Sequence, residues 1–243
     1  MIKALIFDCD GVLVDTERDG HRVAFNRAFE LFNIPAEWDV ALYGELLKVA
    51  GGKERMRAYF DRYGWPENAR SEEDKDALIK ALHREKTRIG SDMIAAGEMP
   101  LRPGIGRIVD EAIAAGVKLG VCTTSNPAFI DAVLDLFGAE RKAKFDFVHA
   151  GDCVSRKKPA PDIYLLALET LGLPTHECMV VEDSRNGLLA ALGAGLPTLV
   201  TTSTYTIDED FTGAVKVVPE LGDEPNVNVR LAELGELAGA TAA

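Results

Sequence analysis

The sequence predicts an α/β protein: a doubly wound parallel sheet forming a discontinuous core, with a small all-helical domain inserted into it. Three observations lead there. Short apolar runs without alternation recur along the chain, the pattern of strands covered on both faces. Helix-length stretches separate them, and strand–helix alternation calls for right-handed crossovers and a parallel sheet. That rhythm fails over residues 17–95, where apolar residues recur at helical spacing and nothing reads as a strand.

The first strand is ALIF, Ala4–Phe7. Phe25, Ala28, Phe29 and Phe32 then fall on one helical face. Met56, Tyr59, Phe60 and Tyr63 do the same, followed by Leu78, Leu82, Ile89 and Met93. Trp38 and Trp65 read as packing residues of this block. The breaker cluster PLRPG, Pro100–Gly104, marks the return to the α/β pattern. The domains are therefore expected at 1–16 with 96–243, and at 17–95. Further strands are expected in VKLGVC (Val117–Cys122), FDFV (Phe145–Val148), CMVV (Cys178–Val181) and PTLV (Pro197–Val200). Helices are expected over Ile105–Ala115, Pro127–Leu136, Pro161–Leu171 and Arg185–Ala194, with Gly116, Gly138, Gly172 and Gly195 closing them. The tail after Pro219 is weakly patterned and predicts only a short helix.

The chain carries 39 acidic and 27 basic residues, a formal charge of −12. A surface of that sign repels nucleic acid and anionic lipid, so neither is expected as a partner. Any phosphate site then needs local basic residues or a cation. No apolar run reaches the ~18–20 residues of a membrane span. The opening MIKALIFDCD has no signal-peptide or transit pattern, which leaves a cytoplasmic protein or one whose targeting segment has been removed. Four cysteines form no CxxC pair and no zinc pattern. Cys9, Cys122 and Cys178 lie in or beside apolar runs and read as small buried hydrophobes in a reducing compartment. The chain is expected to be a monomer.

In a parallel sheet, ligands bind beyond the carboxyl ends of the strands. After the first strand come Asp8 and Asp10, one residue apart, then Gly11. After the second come Thr123, Thr124, Ser125 and Asn126. Beyond the third, Lys157 and Lys158 precede Pro159. After the fourth come Glu182 and Asp183, then Ser184–Gly187. Four carboxylates together repel one another and raise each other's pKa. A hard divalent cation relieves this, and Mg²⁺ takes oxygen ligands from one or two carboxylates plus substrate phosphate and water. Lys158 adds a second positive centre. Hydroxyls and backbone N–H groups at a helix start hold phosphoryl oxygens. These are the parts of a phosphoryl-transfer site, where catalysis is chiefly positioning and charge stabilisation.

Within that site Asp8 is a candidate nucleophile, forming an aspartyl-phosphate. Asp10 is a candidate acid–base that protonates the leaving alcohol and then takes a proton from water, and its backbone carbonyl can reach the metal. Gly11 permits the tight turn between them. Asp183 reads as a metal ligand, and Glu182 as a ligand either directly or through water. Lys158 reads as the partner of Asp8 and of the phosphate, and Thr123 as a phosphate ligand. Thr124, Ser125 and Asn126 are further candidates, with an N-cap as the competing role for the last two.

DCDGVLV (Asp8–Val14), Thr123, Lys158 before Pro159, and the pair Glu182–Asp183 resemble the four motifs of the haloacid-dehalogenase-like phosphatase superfamily, in family order. The helical insert after the first motif resembles that family's small helical cap. KPAPDIY (Lys158–Tyr164) and VEDSRNG (Val181–Gly187) look like the branch of beta-phosphoglucomutase and small sugar-phosphate phosphatases. GGKERM (Gly51–Met56), LHREK (Leu82–Lys86) and LRPG (Leu101–Gly104) look like the CbbY group. That resemblance implies a Mg²⁺-dependent xylulose-1,5-bisphosphate phosphatase, linked to carbon fixation by removing a Rubisco inhibitor. DCDGVLVDTERDGHR (Asp8–Arg22) and WDVALYGELL (Trp38–Leu47) look closer to plastid members than to bacterial ones, which implies the chloroplast stroma, with bacterial cytoplasm as the alternative. Against some bacterial members the sequence is one residue longer around Asp19–Gly20.

The insert has a chemical pattern of its own. In an acidic protein, Lys53, Arg55, His83, Arg84 and Lys86 gather in two short segments, and a bisphosphate needs a second phosphate clamp. His83 and Lys86 share a helix face. Gly51 and Gly52 free backbone for close approach, and Glu54 lies in the same segment. Glu17 is a candidate for sugar hydroxyls and His21 for a further substrate contact. Two rivals stand beside the phosphatase reading. A phosphomutase uses the same scaffold and returns the phosphate to the substrate. A non-enzymatic phospho-receiver domain also carries acids, Thr/Ser and Lys on a parallel sheet, but lacks the insert and does not need the second aspartate.

Overall fold

The computed structural model describes residues 2–49 and 51–240. The chain divides into two compact units, Met1–Asp15 with Pro100–Ala243, and Thr16–Met99.

The first unit is built on six parallel strands: β1 (Ala4–Phe7), β2 (Lys118–Cys122), β3 (Phe145–His149), β4 (Cys178–Glu182), β5 (Thr198–Thr201) and β6 (Lys216–Val218). Their order is β3-β2-β1-β4-β5-β6, so the chain leaves β1 toward one edge and later returns to its other side. The crevice at such a reversal is where doubly wound sheets bind ligands. Register fixes what faces that crevice: Phe7 pairs with Val121 on one side and Val181 on the other. The residues immediately following these three therefore emerge side by side.

All four β1 residues are buried, and period-two alternation sends them to opposite layers. Leu5 and Phe7 join the layer containing Ile105, Ile108, Ile130, Val133 and Leu234, whereas Ala4 and Ile6 join that of Ile163, Tyr164, Ala190 and Ala191. Burial on both faces is why the strand reads as an unbroken apolar run. The expected strand segments are all present to within a residue or so. β6 was not expected: it has three residues, lies at the sheet edge, and leaves Val217 45% exposed.

The second unit starts with a π-helical segment, Thr16–His21, followed by α1 (Arg22–Leu31), α2 (Val40–Leu46), α3 (Gly52–Tyr63) and α4 (Glu72–Ala95). A π turn holds one more residue than an α turn, which is the local form available to the extra residue around Asp19–Gly20. Asp39 caps α2 by accepting from the Leu42 N–H, and Ser71 with Asp74 forms a capping box on α4. The core is aromatic: the Trp38 ring lies 4.7 Å from Phe25 and 5.0 Å from Phe29, and is fully buried. The unit extends to Met99 instead of stopping with α4, because Met99 is buried and Arg27 pairs with Glu98 at 2.7 Å. Likewise Thr16, assigned from sequence to the core, belongs to the insert.

Six further α-helices lie in the first unit among the described residues: α5 (Ile105–Ala114), α6 (Pro127–Asp135), α7 (Ala139–Lys142), α8 (Asp162–Leu171), α9 (Arg185–Gly193) and α10 (Leu231–Ala240). None of the described helices is long and apolar enough to cross a membrane.

Candidate active site

The loop leaving β1 is folded back on itself. The Cys9 carbonyl accepts from the Leu13 N–H at 2.9 Å, and the Gly11 N–H donates to the Val14 carbonyl at 2.8 Å. Gly11 sits at φ +79°, and a Cβ there would overlap the Asp183 carboxylate. Glycine is required on both counts. Gly187 stands in the same relation to Glu182: an added Cβ would occupy the carboxylate's place.

Lys158 is the centre of the site. Its ammonium donates to Asp8 Oδ1 at 2.7 Å, Glu182 Oε1 at 2.6 Å and the Cys122 carbonyl at 2.9 Å, which uses all three of its protons. Burial works against this charge, but the Asp8 and Glu182 carboxylates more than offset it and hold Lys158 above the ordinary lysine range. Burial raises the Asp8 carboxyl from 3.8 to about 7, against the pull of Lys158 and assisted by Glu182 and Asp10. Asp183 is pushed well above the carboxylate range, first by burial and then by Asp8 and Glu182. Three acids thus face one lysine, and negative charge is in excess.

That excess is the test of fit for a cation. One oxygen from each of Asp8, Glu182 and Asp183 lies within 4.8 Å of the others, and all three residues are buried. An all-oxygen, multiply anionic donor set suits a hard divalent ion. Asp8 and Asp183 are the carboxylates best placed to hold it. Glu182 has other bonds: Oε1 accepts from Lys158 and from the buried Tyr164 hydroxyl, and Oε2 accepts from the Asp183 N–H at 3.3 Å. This geometry favours positioning of Lys158, or contact with a metal through water, over direct ligation. Asp10 lies outside the group. Its carboxylate accepts from the Ser125 hydroxyl and, at 3.4 Å, from Thr123, leaving its backbone carbonyl as the route to a metal.

The residues after β2 divide their roles. Thr123 is buried and its hydroxyl accepts from the Ser125 N–H at 3.1 Å. Ser125 reaches back to Asp10. Asn126 caps α6 through the Phe129 N–H at 2.9 Å, so the capping role describes it. Thr124 is exposed.

Within the insert, Lys86 donates to His21 Nδ1 at 3.1 Å, which puts the His21 proton on Nε2, and the ammonium also lies 5.0 Å from the Phe25 ring centre. The face of Gly52 is set against Phe25 and His83. Burial lowers the His83 pKa, and the positive charges of Lys86 and Lys53 lower it further. Lys53 and Lys86, with the neutral imidazoles of His21 and His83 as neighbours, therefore form one basic group beside Gly51, Gly52 and Glu54. Two residues expected with them are elsewhere. Arg55 is buried and donates to the Tyr43 hydroxyl at 2.8 Å and the Leu46 carbonyl at 3.2 Å. Arg84 is turned outward beside Glu85, its side chain 75% exposed. The Tyr43 hydroxyl in turn donates to Glu17 Oε2 at 2.6 Å, so Arg55 acts on Glu17 through Tyr43.

Sequence reasoning does not reach Tyr164, Ser203 or Arg102 as site residues. Tyr164 stands in the KPAPDIY motif. Ser203, which lies close enough to Asp183 to lower its pKa, stands in the hydroxyl-rich stretch TTSTYT (Thr201–Thr206) that begins at the end of β5.

A family model for haloacid dehalogenase-like hydrolases matches residues 2–195. A CBBY-like protein of Arabidopsis thaliana is 50% identical over 97% of this chain and 74% of its own length. The plasmid-encoded CbbY of Cupriavidus necator is 47% identical over 91% of this chain and 87% of its own. CbbY of Rhodobacter sphaeroides, 40% identical, superposes with a TM-score of 0.73 over 96% of this chain and 99% of that one. Its crystal structures hold phosphate in one case and, in a variant, xylulose-(1,5)-bisphosphate in another. The phospho-receiver alternative gives way to these findings.

Proposed function

This chain belongs to the haloacid dehalogenase-like hydrolases and is a phosphoric monoester hydrolase, and on that premise we propose that it is a Mg²⁺-dependent sugar-bisphosphate phosphatase acting on xylulose-1,5-bisphosphate. The observation that carries the reaction is the buried set of Asp8, Lys158, Glu182 and Asp183. An Asp8 oxygen attacks the phosphorus, the ester P–O bond breaks, and Asp10 gives a proton to the departing sugar oxygen. In the second half, Asp10 takes a proton from water, the water oxygen attacks the aspartyl-phosphate, and the bond to Asp8 breaks, releasing phosphate. Lys158 holds Asp8 in place through both halves. Asp8, Asp183 and the Asp10 backbone carbonyl would hold Mg²⁺, which supplies charge stabilisation at the phosphoryl oxygens.

For the substrate, support comes from the His21, Lys53, His83 and Lys86 group of the insert and from the xylulose bisphosphate held by the Rhodobacter relative. A bisphosphate needs a second phosphate clamp, and this basic group is suited to one. The Glu17 carboxylate, oriented by Tyr43, accepts from sugar hydroxyls.

The test is phosphate release with Mg²⁺ from xylulose-1,5-bisphosphate, ribulose-1,5-bisphosphate, glucose-1-phosphate and beta-glucose-1,6-bisphosphate. Strong preference for the first is expected. Equal turnover of all four, or preference for the monophosphate, overturns the substrate reading. Isomerised sugar phosphate without free phosphate overturns hydrolysis in favour of the mutase.

A further inference from the structure

One guanidinium holds together three loops at the carboxyl edge of the sheet. Arg102 donates to the carbonyl of Gly11 after β1, to those of Thr201 and Thr202 at the end of β5 (3.3 and 2.8 Å), and to that of Pro219 just beyond β6 (2.7 Å). Its own N–H donates to the Leu13 carbonyl at 2.8 Å. Parallel strands end with carbonyls aimed past the sheet, and without a donor they repel one another and go unsatisfied. Only arginine offers five N–H groups in a rigid plane; lysine has three on a single nitrogen.

Two of these carbonyls belong to the segments that fix Asp183. Gly11 presses directly on the Asp183 carboxylate. Thr202 precedes Ser203, which lies close enough to Asp183 to lower its carboxyl pKa and is itself set by the Thr206 hydroxyl, 2.9 Å from the Ser203 N–H and 3.0 Å from Oγ. Asp183 therefore sits between two pieces of backbone whose positions Arg102 sets.

We propose that Arg102 is a positioning residue for the metal centre, acting on Asp183 through Gly11 and through the Thr202–Ser203 segment. The proposal rests on Asp183 being a Mg²⁺ ligand. Arg107 provides the comparison. It also gathers backbone carbonyls, those of Leu221 (3.2 Å), Gly222 (2.8 Å) and Val229 (2.8 Å), but none of these adjoins an active-site acid.

Mg²⁺ is titrated calorimetrically into the chelator-treated wild-type chain and into the Arg102→Lys and Arg107→Lys variants, with thermal melts of all three. Arg102→Lys should weaken Mg²⁺ binding by about 10–100-fold, the usual effect of losing support behind a ligand. Arg107→Lys should lower the melting temperature and leave Mg²⁺ binding unchanged. If the wild type binds and Arg102→Lys binds equally well, the inference is overturned while the ligand reading stands. Equal weakening in both variants also overturns it, since the effect is then general loosening. A wild-type chain that takes up no Mg²⁺ overturns the ligand reading and the inference with it. Should Arg102→Lys fail to fold, Ser203→Ala tests the same path from its other end, with the same loss of Mg²⁺ affinity expected and wild-type affinity overturning it.

Discussion

Replacing Asp8 with asparagine should make the metal-free protein more stable while abolishing its turnover. Asp8 is 8% exposed, and burial lifts its carboxyl from 3.8 to about 7. A raised carboxyl pKa means that the folded chain prefers the protonated form. That contribution to stability is complete below 3.8, the unfolded value, and is lost as pH rises through about 7. The loss amounts to about 2 kcal/mol at pH 5 and about 4 kcal/mol at pH 8. Asparagine has nearly the shape of the protonated acid and never ionises, so the variant avoids it. In a chain of this length about 4 kcal/mol is a rise in Tm of roughly 8–16 °C. The assay is a set of melts of chelator-treated wild type and Asp8→Asn from pH 5 to pH 8, each repeated with Mg²⁺. The advantage of the variant should widen with pH, and added Mg²⁺ should reverse it by stabilising the wild type far more. A variant no more stable than wild type at pH 8, or an advantage that does not grow with pH, refutes the reasoning.

Tyr164→Phe removes one of the donors to a fully buried Glu182 and loosens the acceptor that holds Lys158; kcat should fall about 10-fold or more with KM little changed, as judged by steady-state kinetics. In the insert, Lys86→Ala should raise KM for a bisphosphate about 10–100-fold, whereas Arg84→Ala should leave it unchanged, because only Lys86 joins the group with His21.

The sheet was legible because burial on both faces leaves a mark on composition: ALIF and CMVV need no periodicity to be read as strands. β6 left no such mark, since an edge strand of three residues with one exposed valine is shorter than any pattern. In the site, chain position at strand ends identified Asp8, Asp10, Lys158 and Asp183 as neighbours. Side-chain direction was not legible. Arg55 and Lys86 look equally suited to phosphate as residue types, yet one is tied to Tyr43 inside the insert and the other lies beside His21. Nor does sequence show that Thr123 and Ser125 hydrogen-bond to Asp10, because that contact depends on how the loop after β1 closes over Gly11.

The central place of β1 has a consequence for how the molecule is made. Its two neighbours are β2 and β4, and Ala4 pairs with Lys118 and with Cys178. Both pairings are parallel and neither is a hairpin, so β1 emerges well before either neighbour and waits to be enclosed. Contacts so distant in sequence slow folding, and an apolar strand left waiting is open to aggregation. The insert is complete by Met99 and can fold as a unit in the meantime. Asp8 is thus made long before Asp183, and the acid cluster can assemble only once β4 has emerged.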